Sequence, residues 1–409
     1  MNIKRAKYIM IALLAIFVFF FSSDFGLIDV EKTSIITAIA IDLEGDEYLV
    51  TAQIAVPEAT DTNAENQKAE ISAKGKTVGE ALKNTGDVTG WFPKLAFCNL
   101  IILGNGLKDT NVIKVVDYFA KTLRVQDSAT IILAEGKAQE LLLHSTPLDN
   151  ISSFAIQKII LKNPGFDREV CPIDIKTFCS MHYSTSSSAY MPLVKIIKAD
   201  GSDESTSKDS SQNSSKSGSS SQSSSGGQTA GNTTKNEDLF DARTTALFKN
   251  GKKVGELSPE LTVMFNALLS PIDDTTIAVN DVLFNGEKCS FLLTIQSGCS
   301  AIKLHAINDE LMVNIDFSIY CKITDVNSEG ANFSLSQNMP LPNELIDKTK
   351  NMLSERLNQL VQTSVNTGCD FLDIKQKLYR HHYSQYSKFK DDYLSKMKVN
   401  VNVNVSGQK

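Results

Sequence analysis

The chain opens on a basic stretch, "MNIKRAK", and passes directly into an apolar run, Tyr8 to Phe21. That run spans 14 residues, about 21 Å as a helix at roughly 1.5 Å per residue. A bilayer core is about 30 Å thick, so alone it has the length of a signal-peptide core. Carried through Ser22 and Ser23 to Ile28 it reaches about 31 Å and places Asp24 near the outer interface. Cleavage wants small residues at the −3 and −1 positions. A cut after Ser23 puts Phe21 at −3, and a cut after Gly26 puts Asp24 there. The pattern favours a retained anchor over a cleaved peptide. Lys4, Arg5 and Lys7 precede the run, which leaves the remainder extracytoplasmic.

From Thr33 the period changes to that of strands. "SIITAIAID" and "YLVTAQIAV" flank a short polar turn and predict a hairpin. Asp42, Glu44 and Asp46 alternate as at the start of a calcium loop, but Glu47 stands where the loop needs its glycine, so they read as a solvated turn. Thr77 followed by Glu80 is a capping-box pattern for a short helix ending near Gly86. "KLAFCNLIILGNG" reads as a buried strand with a Gly-Asn-Gly turn, and Cys98 within it as core. Val112, Val116, Phe119 and Leu123 share a helical face, with Asp109 as a candidate cap. "SATIILAEG" and "KAQELLLH" add a strand and a helix. This alternation predicts an α/β layer.

Asp200 to Asn236 is a serine-rich tract without core-forming side chains, expected to be coil. Strand-like runs border it, "AYMPLVKIIK" before and "ARTTALFKNGKKVGEL" after. The tract is therefore either an interdomain linker or, on the favoured reading, a loop inserted between paired strands, since lengthening a loop costs only about 0.6 kcal/mol per doubling. Ser258 then caps a helix. "CSFLLTIQ", "SAIKLHAIND" and "ELMVNIDFSIYCKIT" predict three antiparallel strands. Ile346, Leu353, Leu357 and Leu360 mark a long amphipathic helix stopped by Gly368. A second helix carries "DFLDIKQKLYRHHYSQYSKFKDDYLSKM". Val399, Val401, Val403 and Val405 alternate with asparagines in a strand with one buried face.

Composition narrows the function. A net charge of −6 over 409 residues offers no footprint for nucleic acid. The cysteines at 98, 171, 179, 289, 299, 321 and 369 are too scattered for a disulfide scaffold, with Cys171–Cys179 the one pairing considered. Hydrolase, metalloprotease and phosphate-loop motifs are missing from the sequence. His381 and His382 are adjacent, so on a helix their side chains diverge by about 100° instead of converging on a metal. Cys179 and His182 suggest a nucleophile and base, yet no orienting third group is legible nearby in sequence. No catalytic, cofactor-binding or metal-binding residue is assigned.

These segments, in order, resemble the Ger(x)C family, the C subunits of bacterial spore germinant receptors. The resemblance runs from about Gly26 to Val405 and rests on "IITAIAIDLEGDEYLVTAQIAVP", "GKTVGEALKN", "KLAFCNLIILGNGL", "LRVQDSATIILAEGKAQELL", "ALFKNGKKVGEL" and "DIKQKLYRHHYSQY" with the Val/Asn strand behind it. It implies a non-enzymatic protein without a cofactor, working with the A and B membrane subunits at the inner spore membrane, and linked at most indirectly to small nutrient germinants. The family's lipobox ends Gly-Cys-Trp-Asp at this junction. Here Gly26, Leu27, Ile28 and Asp29 stand there, so Leu27 replaces the lipidated cysteine. Asn99 stands where many members carry histidine. The competing class is an extracytoplasmic envelope-associated binding protein or hydrolase unrelated to germination. The expected body is α+β and multi-domain, with helix-flanked sheets behind an N-terminal anchor helix. Its parts are the anchor at 1–28, an α/β domain at 29–150, a middle domain at 151–280 carrying the insertion at 200–236, and a C-terminal antiparallel sheet with long helices at 281–409.

Overall fold

The computed structural model describes residues 10–11, 13–14, 16–17, 33–55, 68–122, 125–146, 149, 151–161, 169–198, 238–284, 286–307, 310–328 and 340–407. Most of the expected anchor, Leu27 included, and the serine tract lie outside these residues.

The predicted hairpin forms. Strand β1 (Thr33–Glu44) pairs antiparallel with β2 (Glu47–Ala55), and Gly45 turns between them at φ +64°. Strand β3 (Lys68–Gly75) extends the sheet beyond β2. Its polar, half-exposed edge position explains why its sequence carries little strand signal. Strand β4 (Phe92–Lys94) pairs parallel with the first residues of β1. On the side of β1 away from β2 run β5 (Leu100–Leu103), β6 (Thr130–Ala134) and β7 (Ser188–Lys198), each parallel to its neighbour. Antiparallel β8 (Asp238–Lys249) and β9 (Lys252–Leu257) complete a nine-stranded sheet. β6 and β7, on either side of the division expected at 150, are neighbours in this sheet.

Alternation along the central strands sends residues to opposite faces. Ile39, Ile41, Ile101, Leu103, Ile131 and Leu133 pack under helices α1 (Val78–Thr89) and α2 (Ile113–Lys121). Ala38, Ala40, Leu100, Ile102 and Ile132 pack against α3 (Ala138–Leu143) and α4 (Ser152–Ile160). Helices on both faces let these strands be apolar throughout, as parallel sheets require. Helix α5 (Ile175–His182) joins the first face through Ile175 and Phe178.

Lys198, the last residue of β7, pairs with Asp238, the first of β8. The serine tract thus departs from and returns to adjacent positions of one ladder.

Helix α6 (Pro259–Leu269), capped by Ser258 as expected, leads to a four-stranded sheet of β10 (Thr275–Phe284), β11 (Glu287–Ile307), β12 (Glu310–Ser328) and β13 (Met397–Gly407). β10, whose Thr275, Ile277 and Val279 alternate inward, is a strand beyond the three expected above. The two strands expected around Ser297-Gly298 are one, β11. Gly298 does not turn the chain: its backbone exchanges hydrogen bonds with Ile272, and the register slips at Ile295/Ser297. The valine side of β13 faces inward as read, but β13 runs parallel to β12, so this sheet is mixed and not wholly antiparallel.

Helix α7 (Asn343–Thr367) ends on Gly368 at φ +65° and buries Leu353, Leu357 and Leu360 against the core shared by both sheets. Full burial of each such leucine contributes about 1.5–3 kcal/mol. The helix expected after it breaks into α8 (Ile374–His381), α9 (Tyr383–Phe389) and α10 (Tyr393–Lys396). His382 leaves helical geometry at φ −132°, ψ 46°, and its Nε2 lies 3.1 Å from the Leu304 carbonyl oxygen.

Candidate functional site

An aromatic concavity lies between α1 and the chain that returns from it. Thr77 Oγ1 accepts the Glu80 N–H at 3.1 Å, while Glu80 accepts the Lys76 N–H at 2.8 Å. This is the reciprocal cap read from the sequence, displaced by one residue on the return side. The helix does not stop at Gly86. It continues to Thr89 and closes on Gly90 at φ +72°, whose N–H donates to Gly86 O at 2.8 Å.

Gly86 has a packing role instead. A Cβ there would stand 3.1 Å from Trp91 O and 3.2 Å from Pro93 Cδ. At Gly79 it would stand 2.9 Å from Tyr118 Cε2, so Tyr118 of α2 rests against the bare helix backbone. These close approaches frame a cleft of about 570 Å³ lined by Leu82, Trp91, Phe92, Leu95 and Tyr118, a volume suited to a small ligand. Lys83 and Asp87 face each other at 3.9 Å on its rim.

The stretch from Val88 to Phe97, which supplies part of the cleft, also exposes apolar side chains. Val88 is 77% exposed, Trp91 48%, Phe92 40% and Phe97 53%. Ile35, beside Lys94 in the ladder, is also exposed. The expected strand "KLAFCNLIIL" is regular only from Leu100; Leu95–Phe97 form a single 3₁₀ turn that presents Phe97 outward. Cys98, inward of it, is fully buried, and burial pushes its thiol up to about 12. Exposed aromatics and a charged rim suit binding.

The other sequence candidates stand elsewhere. Asp42 is buried, not solvated: its carboxylate accepts the N–H groups of Ala138 at 2.8 Å and Gln139 at 2.9 Å, capping α3 from the sheet. Glu44 instead pairs with Lys74 at 2.8 Å and Lys137 at 3.3 Å. Asp109 does not cap α2; Asn111 Oδ1 accepts the Ile113 N–H at 3.2 Å. His381 is exposed while His382 is tied to β11.

Cys179 and His182 share α5, and a third group unseen in the sequence approaches from α2. Asp117 is held below the usual carboxylate range: burial opposes this, but hydrogen bonds from Lys121 Nζ at 2.7 Å and Tyr183 Oη at 2.6 Å prevail. The group does not activate the thiol. Burial, then the Asp117 charge, raises Cys179 to about 11, and burial lowers His182. A nucleophilic cysteine needs the opposite shift. Cys171 and Cys179 are free thiols. Among the described residues no cluster of three His, Cys, Asp or Glu side chains could hold a metal ion.

Residues 27–196 match the spore germination protein N-terminal domain, and residues 243–407 match the spore germination B3/GerAC-like C-terminal domain. The chain belongs to the Ger(x)C family. Its fold is similar to that in the crystal structure of the GerBC protein, with a TM-score of 0.51 and 16% identity over 93% of this chain and all of that one. No curated protein matches the chain. Family membership places this protein in spore germination. The cleft falls within the first matched region. So does Asn99, which is exposed two residues after Phe97 and whose backbone bridges Thr37 O and Thr130 N. The 3₁₀ turn before it, and hence the outward aromatic edge, is beyond the reach of a hydropathy pattern because Phe97 reads there as strand core.

Proposed function

We propose that this Ger(x)C protein is a non-enzymatic, membrane-anchored subunit of a spore germinant receptor, acting in nutrient-triggered germination by assembling with A- and B-type membrane subunits. The observation that carries this reading is the pair of consecutive family matches, residues 27–196 and 243–407, over a fold resembling GerBC along nearly its whole length. The anchor is the Tyr8–Ile28 segment itself, with Leu27 in place of a lipidated cysteine. No helix among the described residues is long and apolar enough to cross a membrane. The described residues of the apolar run, Met10, Ile11, Leu13, Leu14, Ile16 and Phe17, are nonetheless helical and each more than half exposed, the surface a lipid environment would cover.

Two measurements test the proposal. Affinity capture of a tagged chain from spore membranes should recover A- and B-type subunits, and deleting its gene should abolish the response to at least one nutrient. Capture without them, together with normal germination, would set the receptor reading aside. Intact mass of the membrane-bound chain should begin at Met1 without acyl mass; a soluble product starting between Ser22 and Asp29 would remove the anchor.

A further inference from the structure

The apolar edge beside the cleft sits where the anchor must attach. Thr33, the first residue of β1, pairs with Phe92, Ser34 with Pro93, and Ile35 with Lys94. Ser34 Oγ also donates to Phe92 O at 3.5 Å. Only residues 29–32 separate this ladder from Ile28, the end of the proposed span. At no more than about 3.5 Å per residue, the five steps from Ile28 to Thr33 reach about 17.5 Å. One strand spacing, about 4.8 Å, then leads from β1 to β4. Phe92 is therefore held within about 22 Å of the span's outer end even at full extension.

The residues at that place are of the interfacial kind. Trp91 is the single tryptophan of the chain; it is half exposed and lines the cleft with Phe92, and Val88 and Phe97, three positions before it and six after, are exposed as well. Tryptophan concentrates at the headgroup level, where an apolar ring and one N–H donor are both accommodated. Lys83 and Lys94 flank the aromatics and can extend to lipid phosphates while their stems stay apolar. The net charge of −6 gives the body no general attraction to an anionic surface, so the contact must be local and largely apolar.

We infer that the edge from Val88 to Phe97 is a second membrane contact, in which Trp91 and Phe97 enter the interface of the bilayer that holds the Tyr8–Ile28 anchor. The occupant is the lipid surface. The tether supplies a high effective concentration, so an edge too weak to bind alone engages once the anchor is in place. The cleft behind Trp91 is then presented at headgroup level. This inference rests on the anchor proposed above.

The lone tryptophan makes the test direct. The full chain is reconstituted in vesicles of equal parts phosphatidylcholine and phosphatidylglycerol, with and without bromine near the carbonyl end of the acyl chains, and recovered by flotation. The expected result is that Trp91 emission shifts to shorter wavelength and is quenched by the brominated lipid. Replacing Val88 and Phe97 by serine, which leaves the probe and the buried core in place, should weaken both signals while circular dichroism stays unchanged. Chain that floats with unquenched, unshifted emission overturns the inference and leaves the anchor standing. Chain that does not float removes the anchor and the inference with it. A shift that appears only when A- and B-type subunits are co-reconstituted also overturns it, assigning the edge to protein.

Discussion

Asp42 and Gly104 fit together only because Gly104 lacks a side chain: a Cβ there would overlap the Asp42 carboxylate that caps α3. Gly104 also follows β5 and donates its N–H to Ile41 O at 2.8 Å. Substituting Gly104→Ala should therefore force the carboxylate off the Ala138 and Gln139 amides and destabilise the protein by about 1–3 kcal/mol, the usual range for overpacking. Asp42→Ala should lose about 1 kcal/mol through the cap alone. The double variant should fall short of the sum, since both changes break one interaction. Urea midpoints measure this, and strict additivity would contradict the coupling.

A pH dependence follows from the turn between α7 and α8. Burial, then the neighbouring Asp370 carboxylate, raises Asp373 to about 6, against the opposing charges of Lys377 and Arg380. A folded value above the unfolded one means that the folded state binds this proton more tightly. The stabilisation is complete below the unfolded value of 3.8 and is lost as pH rises through about 6. Asp373→Asn removes the titration and suits the backbone, because φ is +59° there and asparagine tolerates that region. Its stability curve should be flatter than the parent's across this window and higher at neutral pH. Parallel curves would show that Asp373 does not titrate as described.

Excision of Gly201 to Thr234 with a short turn in its place should leave the melting temperature within a few degrees, because Lys198 and Asp238 already face each other in the ladder. The entropic saving is small, about 0.6 kcal/mol per halving of length. Destabilisation beyond about 3 kcal/mol, far above ordinary surface-loop changes, would mean that the tract holds the body together.

Thiol chemistry separates a structural Cys179 from a nucleophilic one. With its thiol raised to about 11, Cys179 should alkylate slowly at neutral pH, well after exposed Cys299, as followed by peptide mass spectrometry. Cys179→Ala and His182→Ala should each support normal germination wherever the protein accumulates. A stable, assembled variant without response would restore a catalytic role to this pair.

Elements whose periodicity is unambiguous and whose boundaries carry their own chemistry are legible in the residues alone. The Val/Asn alternation of β13, the α7 stripe ended by Gly368, the Thr77–Glu80 cap and the β1–β2 hairpin are all set by residues within a few positions of one another. The order of the segments, with their resemblance to the Ger(x)C family, also carried the function class. What depends on distant contacts emerges only once the chain is folded. Asp42 reads as a turn residue, and becomes a buried helix cap 96 positions away, because α3 folds back onto the sheet. Gly298 reads as a turn glycine, yet continues a strand because Ile272 pairs with it and would crowd a Cβ at 2.6 Å. The polar edge strand β3 depends on its neighbour more than on its own sequence. Phe97 lies in an apolar run that local pattern reads as a buried strand, and nothing in that pattern singles out Trp91. Their exposure arises from the Gly90 stop, the 3₁₀ turn and the pairing of β4 with the first residues after the anchor. Local sequence fixes period and caps; which surfaces remain uncovered is settled only when remote strands close the sheet.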